Sequence, residues 1–149
     1  MIQGLVEVLK KFHLYRYVPR DAPEWRAWAR GKTPAQRSDA KVRWIAAGRL
    51  EPRRPKDSWL QFSFPHSFNS DLLEVLLLLG DADPHRDKTI DAGLDVLLSK
   101  RGSDGMWKMT RGLNGRMHAH LDRNGRASPW ITFRALLAFK RFGGLVLPP

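Results

Sequence analysis

The sequence predicts an all-α fold, and three stretches in its second half carry that prediction. Leu72 to Leu79 is apolar at every position except Glu74, which is typical of a helix buried on all sides. Residues 84–100 place apolar and acidic side chains on opposite faces of a helix. Residues 129–142 carry a wide apolar arc that follows a Ser-Pro pair. We therefore expect one buried helix, one amphipathic helix and a third helix after a long loop.

The composition is that of a globular protein whose N-terminal part is basic. The chain has 149 residues, no cysteine and a formal net charge of +11. Residues 1–60 carry a net charge of +8 and residues 61–149 carry +3. Such a balance suits an anionic partner such as nucleic acid or a lipid surface. No apolar run reaches the roughly 18 residues that a membrane span needs, and the start of the chain lacks a signal-peptide pattern. We expect a cytoplasmic protein without disulfides or thiolate metal sites.

The first half of the chain predicts short helices separated by breakers. Residues 4–17 place their apolar side chains on one face and are predicted to form one helix. Residues 24–28 are predicted to form a helical turn with two tryptophans on the same side. Residues 33–36, Thr-Pro-Ala-Gln, are a capping-box helix start, and Gly48 is predicted to end that helix. The Pro- and Arg-rich connector 51–57 is the best candidate for an internal boundary.

Helix starts and stops are also visible in the second half. Residues 59–65 are predicted to be extended. One of three polar residues at 69–71 caps the first helix, and Gly80 is predicted to end it. Asp83 is predicted to cap the next helix, with a proline at its first position. Ser128 is predicted to cap the last.

The long loop 102–127 contains a strand-like pattern. Apolar residues alternate with His118, His120 and Asp122, and Asn-Gly follows at 124–125. This predicts a short β-hairpin at 116–127. The two histidines would share one face and could bind a metal, but no third ligand is evident nearby. We expect no metal and no cofactor.

Two motifs resemble a known repeat family. Asp104-Gly105-Met106-Trp107 resembles the Asp-Gly-x-Trp end of the QW-type repeats in squalene–hopene cyclases and protein prenyltransferase β subunits. Residues 128–136, Ser-Pro-Trp-Ile-Thr-Phe-Arg-Ala-Leu, resemble the stretch that opens the following helix in those repeats. The chain is similar to bacterial proteins of the prenyltransferase and squalene oxidase repeat group, well over about 58–142 and loosely over 5–17.

The resemblance implies an α/α toroid, in which helical hairpins form an inner and an outer ring. The chain would supply half a ring and would need self-association or a companion toroid half. The structural motif would comprise Asp104, Gly105, Trp107, Ser128 and Trp130. The implied organisation is a single domain over 1–149, divided into a first helix at 1–19, a basic insertion at 20–57 and toroid repeats at 58–149.

The same resemblance narrows the function. The Asp-x-Asp-Asp acid motif of the cyclases is absent, and there is no cysteine for a prenyltransferase zinc site. This favours a non-catalytic module that binds an apolar ligand, an isoprenoid or a lipid, or a partner chain. Side chains that could line the apolar pocket, or simply fill the core, are Trp25, Trp28, Trp59, Phe62, Phe64 and His66.

Two other classes stay open. The first is an enzyme of terpenoid or prenyl metabolism, which the resemblance suggests. The second is a basic nucleic-acid-binding domain, in which the stretch 37–56 would contact phosphates. A solvated basic face explains that stretch equally well, and no nucleic-acid-binding motif is present. Nucleic acid is therefore not the expected partner.

Overall fold

The computed structural model of the chain describes residues 2–11, 14–17, 23–49, 54–65, 70–112 and 122–144. These residues form six α-helices, one 3₁₀ turn and one two-stranded sheet, so the predicted all-α class is confirmed. The chain divides into two compact units, Met1–Lys56 and Asp57–Pro149. The division lies at the Pro- and Arg-rich connector. The single domain over 1–149 stays a prediction.

The described residues of the first unit form three helices and the small sheet. They are α1 Ile2–Lys11, β1 Arg16–Tyr17, α2 Pro23–Ala29, α3 Pro34–Ala46 and β2 Arg54–Pro55. Strands β1 and β2 pair antiparallel. The helix predicted over residues 4–17 is too long, because Leu14 adopts a φ of 63° and its amide donates to the Leu9 carbonyl at 3.1 Å. That left-handed residue turns the chain out of α1 and into β1.

The limits of α3 follow the predicted signals. The Thr33 hydroxyl accepts from the Gln36 amide at 3.3 Å, and the Gln36 side chain accepts from the Thr33 amide at 2.9 Å. At the other end Gly48 has a φ of 70°, and the Arg49 amide donates to the Trp44 carbonyl at 2.8 Å. This is a Schellman ending, for which glycine is favoured.

Tryptophan forms much of the core of the first unit. Trp25 and Ile45 are buried together with Ala40, and Trp28 and Trp44 pack against them. The ring centroids of Trp25 and Trp28 are 5.3 Å apart, which confirms that α2 carries both indoles on one side. Trp44 on α3 meets them at 6.1 and 5.4 Å.

The described residues of the second unit form a 3₁₀ turn followed by three helices. They are Asp57–Leu60, α4 Leu72–Ala82, α5 Lys88–Ser99 and α6 Pro129–Arg141. The extended conformation predicted for 59–65 is wrong at its start, where Trp59 lies in the 3₁₀ turn. Leu76 and Leu77 are buried as expected, but Leu78 is 59% exposed, so α4 is not covered on every side.

Contacts at the helix ends fix the directions of α4, α5 and α6. Arg141 near the end of α6 donates to the Leu77 carbonyl at 2.8 Å and pairs with Asp81 at 2.7 Å, both in the second half of α4. Arg86, just before α5, donates to the Phe142 carbonyl at 3.5 Å. Helices α4 and α6 are therefore parallel, and α5 runs antiparallel to α6.

Two predicted helix limits are wrong. Gly80 lies inside α4, where a Cβ would approach the Arg141 Cβ to 2.8 Å, so this glycine permits close packing of α6. Asp83 does not cap α5, because its carboxylate accepts from the His85 amide at 3.1 Å. The N-cap is Asp87, which accepts from the amides of residues 89 and 90 at 2.9 Å.

The loop after α5 differs in part from the predicted β-hairpin. Residues 113–121, including His118 and His120, lie outside the described residues. The predicted turn at 124–125 is present, and the Gly125 amide donates to the Met109 carbonyl at 2.7 Å. A bridge joins Lys108 to Ala127. The turn therefore pairs with 108–109.

Candidate functional site

The Gly-x-Trp corner, residues 104–107, is held in the second unit by a set of hydrogen bonds. Trp107 is fully buried, and its indole Nε1 donates to the Leu97 carbonyl near the end of α5 at 2.7 Å. Its amide donates to the Thr132 hydroxyl on α6 at 3.0 Å. Its carbonyl accepts from the Ser128 amide at 2.8 Å. One residue thus ties the end of α5 to the start of α6.

The loop before Trp107 is a tight turn. Gly105 has a φ of 79°, a conformation that side chains disfavour. A Cβ there would also approach the Arg101 guanidinium to 2.9 Å. Asp104 accepts from the Met106 amide at 3.0 Å, and Arg101 donates to the Gly105 carbonyl at 3.0 Å. These groups shape the turn, so their role is structural.

Ser128 and Trp130 have different surroundings although they are two residues apart. Ser128 is fully buried, and its hydroxyl accepts from the Ile131 amide at 3.0 Å, as predicted for the cap of α6. Trp130 is 47% exposed and stacks on Phe64, with centroids 4.9 Å apart and an interplanar angle of 8°.

The predicted pocket residues fall into separate groups. Trp25 and Trp28 belong to the core of the first unit. Trp59, Phe62 and Phe64 lie in the second unit, and His66 lies outside the described residues. Trp25 and Trp28 thus pack within their own unit.

Phe62 has a structural role of its own. Its ring is buried, and its amide donates to the Thr110 hydroxyl at 2.8 Å. Its carbonyl accepts from the amides of Thr110 and Arg111 at 2.9 and 3.1 Å. The segment 57–65 is thereby held against the loop that follows the Trp107 corner, and it carries Phe64 to its place on Trp130.

An apolar face is exposed along α6. Its members, called here the α6 apolar face, are Trp130, Phe133 and Leu136, which are 47, 62 and 45% exposed. At three-residue spacing they span an arc of about 120° on the helix. Large apolar residues grouped in this way are typical of an interaction surface. The sequence suggested a wide apolar arc for this helix but gave no sign of which part stays uncovered.

A charged group lies beside this face. Burial lowers the pKa of the Arg134 guanidinium from its usual value, while Asp71 and Glu74 on the α4 side oppose that shift. Asp71 is fully buried, accepts from the Glu74 amide at 2.9 Å and accepts from the Ser63 amide at 3.3 Å. The α4 N-terminus therefore has an acidic cap next to a cation of α6.

A basic groove lies between α2 and α3 in the first unit. Its volume is about 700 Å³, and it is lined by Trp25, Arg26, Ala29, Arg30, Pro34, Arg37, Ser38 and Lys41. The sequence-based prediction placed possible phosphate contacts at 37–56 and did not include the cation of α2. The available signal was the four-residue spacing of Arg26 and Arg30 and of Arg37 and Lys41, which favours one side of a helical segment.

The described residues contain no cluster of three or more His, Asp or Glu side chains that could bind a metal ion. The two histidines of the predicted hairpin lie outside this set. None of the described helices combines the length and the apolar composition that crossing a bilayer requires.

The fold and these sites define a mostly helical protein of two compact units, with an apolar face on one and a basic groove on the other. Comparisons with family models, curated proteins and solved structures return no significant match.

Proposed function

We propose that this protein is a non-catalytic helical-repeat module, half of an α/α toroid, whose partner is a second copy of the same chain bound through the α6 apolar face. The observation that carries the proposal is the exposure of Trp130, Phe133 and Leu136 along one helix. Aromatic residues are enriched where interfaces concentrate their binding energy.

The helix directions support the repeat interpretation. In an α/α toroid, successive inner helices are parallel and each outer helix returns the chain between them. Helices α4 and α6 are parallel and pack against each other, α5 returns the chain in the opposite direction, and Trp107 closes the corner from α5 to α6. The expected indole packing at the hairpin end matches the Trp107 contacts.

The order of residues on α6 supports pairing with a second copy. Phe133 lies three residues from Trp130 and three from Leu136, so a two-fold axis at Phe133 would pair the tryptophan of one copy with the leucine of the other. Such a surface is self-complementary, as a two-fold dimer requires. Burying the apolar surface of these side chains in a dimer would stabilise it by about 25 cal/mol for each Å² removed from water.

Charge also favours an interface on this unit. Residues 57–149 hold 12 Lys/Arg and 10 Asp/Glu, a net charge of +2, whereas residues 1–56 carry +9. Like charges on two approaching copies repel each other, and the cost falls as the net charge of the contacting surfaces falls. The apolar face thus belongs to the unit on which self-association is least opposed.

The test is the molar mass in solution. We expect a dimer by light scattering and sedimentation equilibrium, and we expect Phe133→Asp to weaken it by at least about 30-fold, which corresponds to about 2 kcal/mol. Ala92→Asp is the matched control, because it also places an acid at an exposed helical position of the second unit, on α5. It should leave the dimer intact.

Three outcomes would contradict the proposal. These are a wild-type chain that stays monomeric at high concentration, a dimer that Phe133→Asp leaves unchanged, and a monomer that carries an isoprenoid or lipid which Trp130→Ala releases. The last result would identify an apolar ligand as the occupant of the α6 apolar face.

A further inference from the structure

The groove between α2 and α3 collects cations from both helices. Arg26 lies on α2 and Arg30 directly follows its last residue, while Arg37 and Lys41 lie one turn apart on α3. Residues at this spacing project from the same side of a helix. Four cations from α2, the residue after it and α3 therefore line one concavity of about 700 Å³.

The described lining of the groove contains no acidic residue. Asp39 on α3 pairs instead with Arg43 at 2.6 Å, and neither residue lines the groove. Like charges one turn apart destabilise a helix, so an anion in the groove would relieve the repulsion between Arg37 and Lys41 on α3.

The kinds of side chain present indicate phosphate. Three of the four cations are arginines, whose planar guanidinium matches phosphate oxygens with two parallel hydrogen bonds. The Arg37 Nε donates to the Lys32 carbonyl at 2.8 Å, which orients its guanidinium before any ligand binds. Lys41 Nζ lies 5.6 Å from the centroid of the Trp25 ring, so its ammonium is held above the indole.

The shape of the groove favours single-stranded nucleic acid as the ligand over a membrane surface or a nucleic-acid duplex. Its cations converge on a concave surface, whereas a bilayer surface is flat and would reach only the rim. Helix α2 has seven residues and is about 10 Å long. A groove bounded by so short a helix can contact a few nucleotides of a single strand, but it is too short to enclose a duplex. Cations on both sides of an open groove fit a row of backbone phosphates.

We propose that this groove binds the phosphate backbone of single-stranded nucleic acid through Arg26, Arg30, Arg37 and Lys41. Binding is independent of base sequence, because the cations contact phosphates and not base edges. This activity is separate from the self-association proposed above, since it uses residues of the first unit only.

The experiment is a titration of a labelled oligodeoxythymidine with the full chain at several salt concentrations, followed by fluorescence anisotropy. Four phosphate contacts predict that log K falls with log salt with a slope of about −3. Arg26→Gln/Arg30→Gln should reduce the slope to about −1.4 and weaken binding roughly 25-fold at about 0.1 M salt, by the same relation. Both side chains are exposed, so circular dichroism should be unchanged.

The matched control is Arg43→Gln, which removes a cation from the same basic segment but outside the groove. It should change the affinity less than about two-fold, and the single variant Arg30→Gln should weaken binding about five-fold. Quenching of tryptophan emission on binding would add support, because Trp25 lines the groove.

Clear results would overturn the proposal. One is the absence of oligonucleotide binding at low salt. Another is an equal loss of affinity with Arg43→Gln and Arg30→Gln, which would mean that net charge alone attracts the strand. A third is binding of vesicles containing phosphatidylserine, with the same dependence on Arg26 and Arg30, in the absence of oligonucleotide binding.

Discussion

The two units of this protein use tryptophan in different ways. In the second unit a single buried indole, Trp107, donates to the Leu97 carbonyl and joins the ends of two helices. In the first unit Trp25, Trp28 and Trp44 pack on one another, and each has a cation over its ring, namely Lys41, Lys32 and Arg49. One indole closes a corner, and three indoles form a cluster around Ala40 and Ile45.

The two cores should differ in how much stability they lose when a tryptophan is substituted. An indole with a fixed hydrogen bond in a fully enclosed site has no room to adjust, so its loss leaves a cavity and breaks a helix connection. Trp28 and Trp44 are only partly buried, so their loss leaves a smaller cavity than the loss of a fully enclosed indole. Matched substitutions in the two units should therefore differ in size.

The largest effect should come from Trp107→Ala. Removing a fully buried indole costs about 3–5 kcal/mol, which is a large part of the 5–15 kcal/mol that holds a typical protein folded. Amide hydrogen exchange should show lost protection in α5 and α6, with α2 and α3 unaffected. Normal protection at the start of α6 would show that the corner does not join these helices.

Trp44→Ala should have a smaller effect. Trp44 meets both other indoles of the first unit but is only partly buried, so we expect about 2 kcal/mol, roughly half the cost of a fully buried tryptophan. The loss should be confined to exchange protection in α2 and α3. A loss as large as that of Trp107→Ala would remove the contrast between the two cores.

The helix caps allow a third comparison. Ser128→Ala should cost about 1–2 kcal/mol and Thr33→Ala about 0.5–1 kcal/mol, within the range for such caps. The order is expected because Ser128 is buried, so the freed Ile131 amide has poorer access to water than the freed Gln36 amide. Urea denaturation of both variants measures the difference, and the reverse order would contradict it.

The smallest effect concerns the cations over the indoles. Arg49 lies 4.3 Å from the centroid of the Trp44 ring, and at an exposed site such a contact contributes about 0.5–1 kcal/mol. Arg49→Gln should cost about 0.5 kcal/mol, and Arg49→Lys should restore part of it. No loss with glutamine would show that the indoles pack equally well without a cation.

Most of the helix positions, and some of the residues at which the helices begin, could be predicted from the sequence. Thr33, Asp71 and Ser128 are the caps of α3, α4 and α6, because a short polar side chain before an apolar run has few other uses. The burial of Trp107 was also predictable, since a Gly-x-Trp turn between helices leaves the indole over the helix ends.

What was missed depends on distant contacts. Gly80 is a normal stop signal, yet the approach of Arg141 gives it a packing role inside α4. Asp83 and Asp87 are equally good caps by type, and only the turn at His85 decides between them. The basic groove escaped because its cations come from two helices, and a count along the chain does not show which sides of α2 and α3 face each other.

The parallel arrangement of α4 and α6 has a consequence for how such a chain can grow. After α5 and the Trp107 corner, the polypeptide is travelling in its original direction again, one helix further along. A duplicated pair of helices inserted after α6 would leave every later helix pointing the same way, whereas a single added helix would invert all that follow. Insertions and deletions in this unit should therefore be tolerated in steps of two helices.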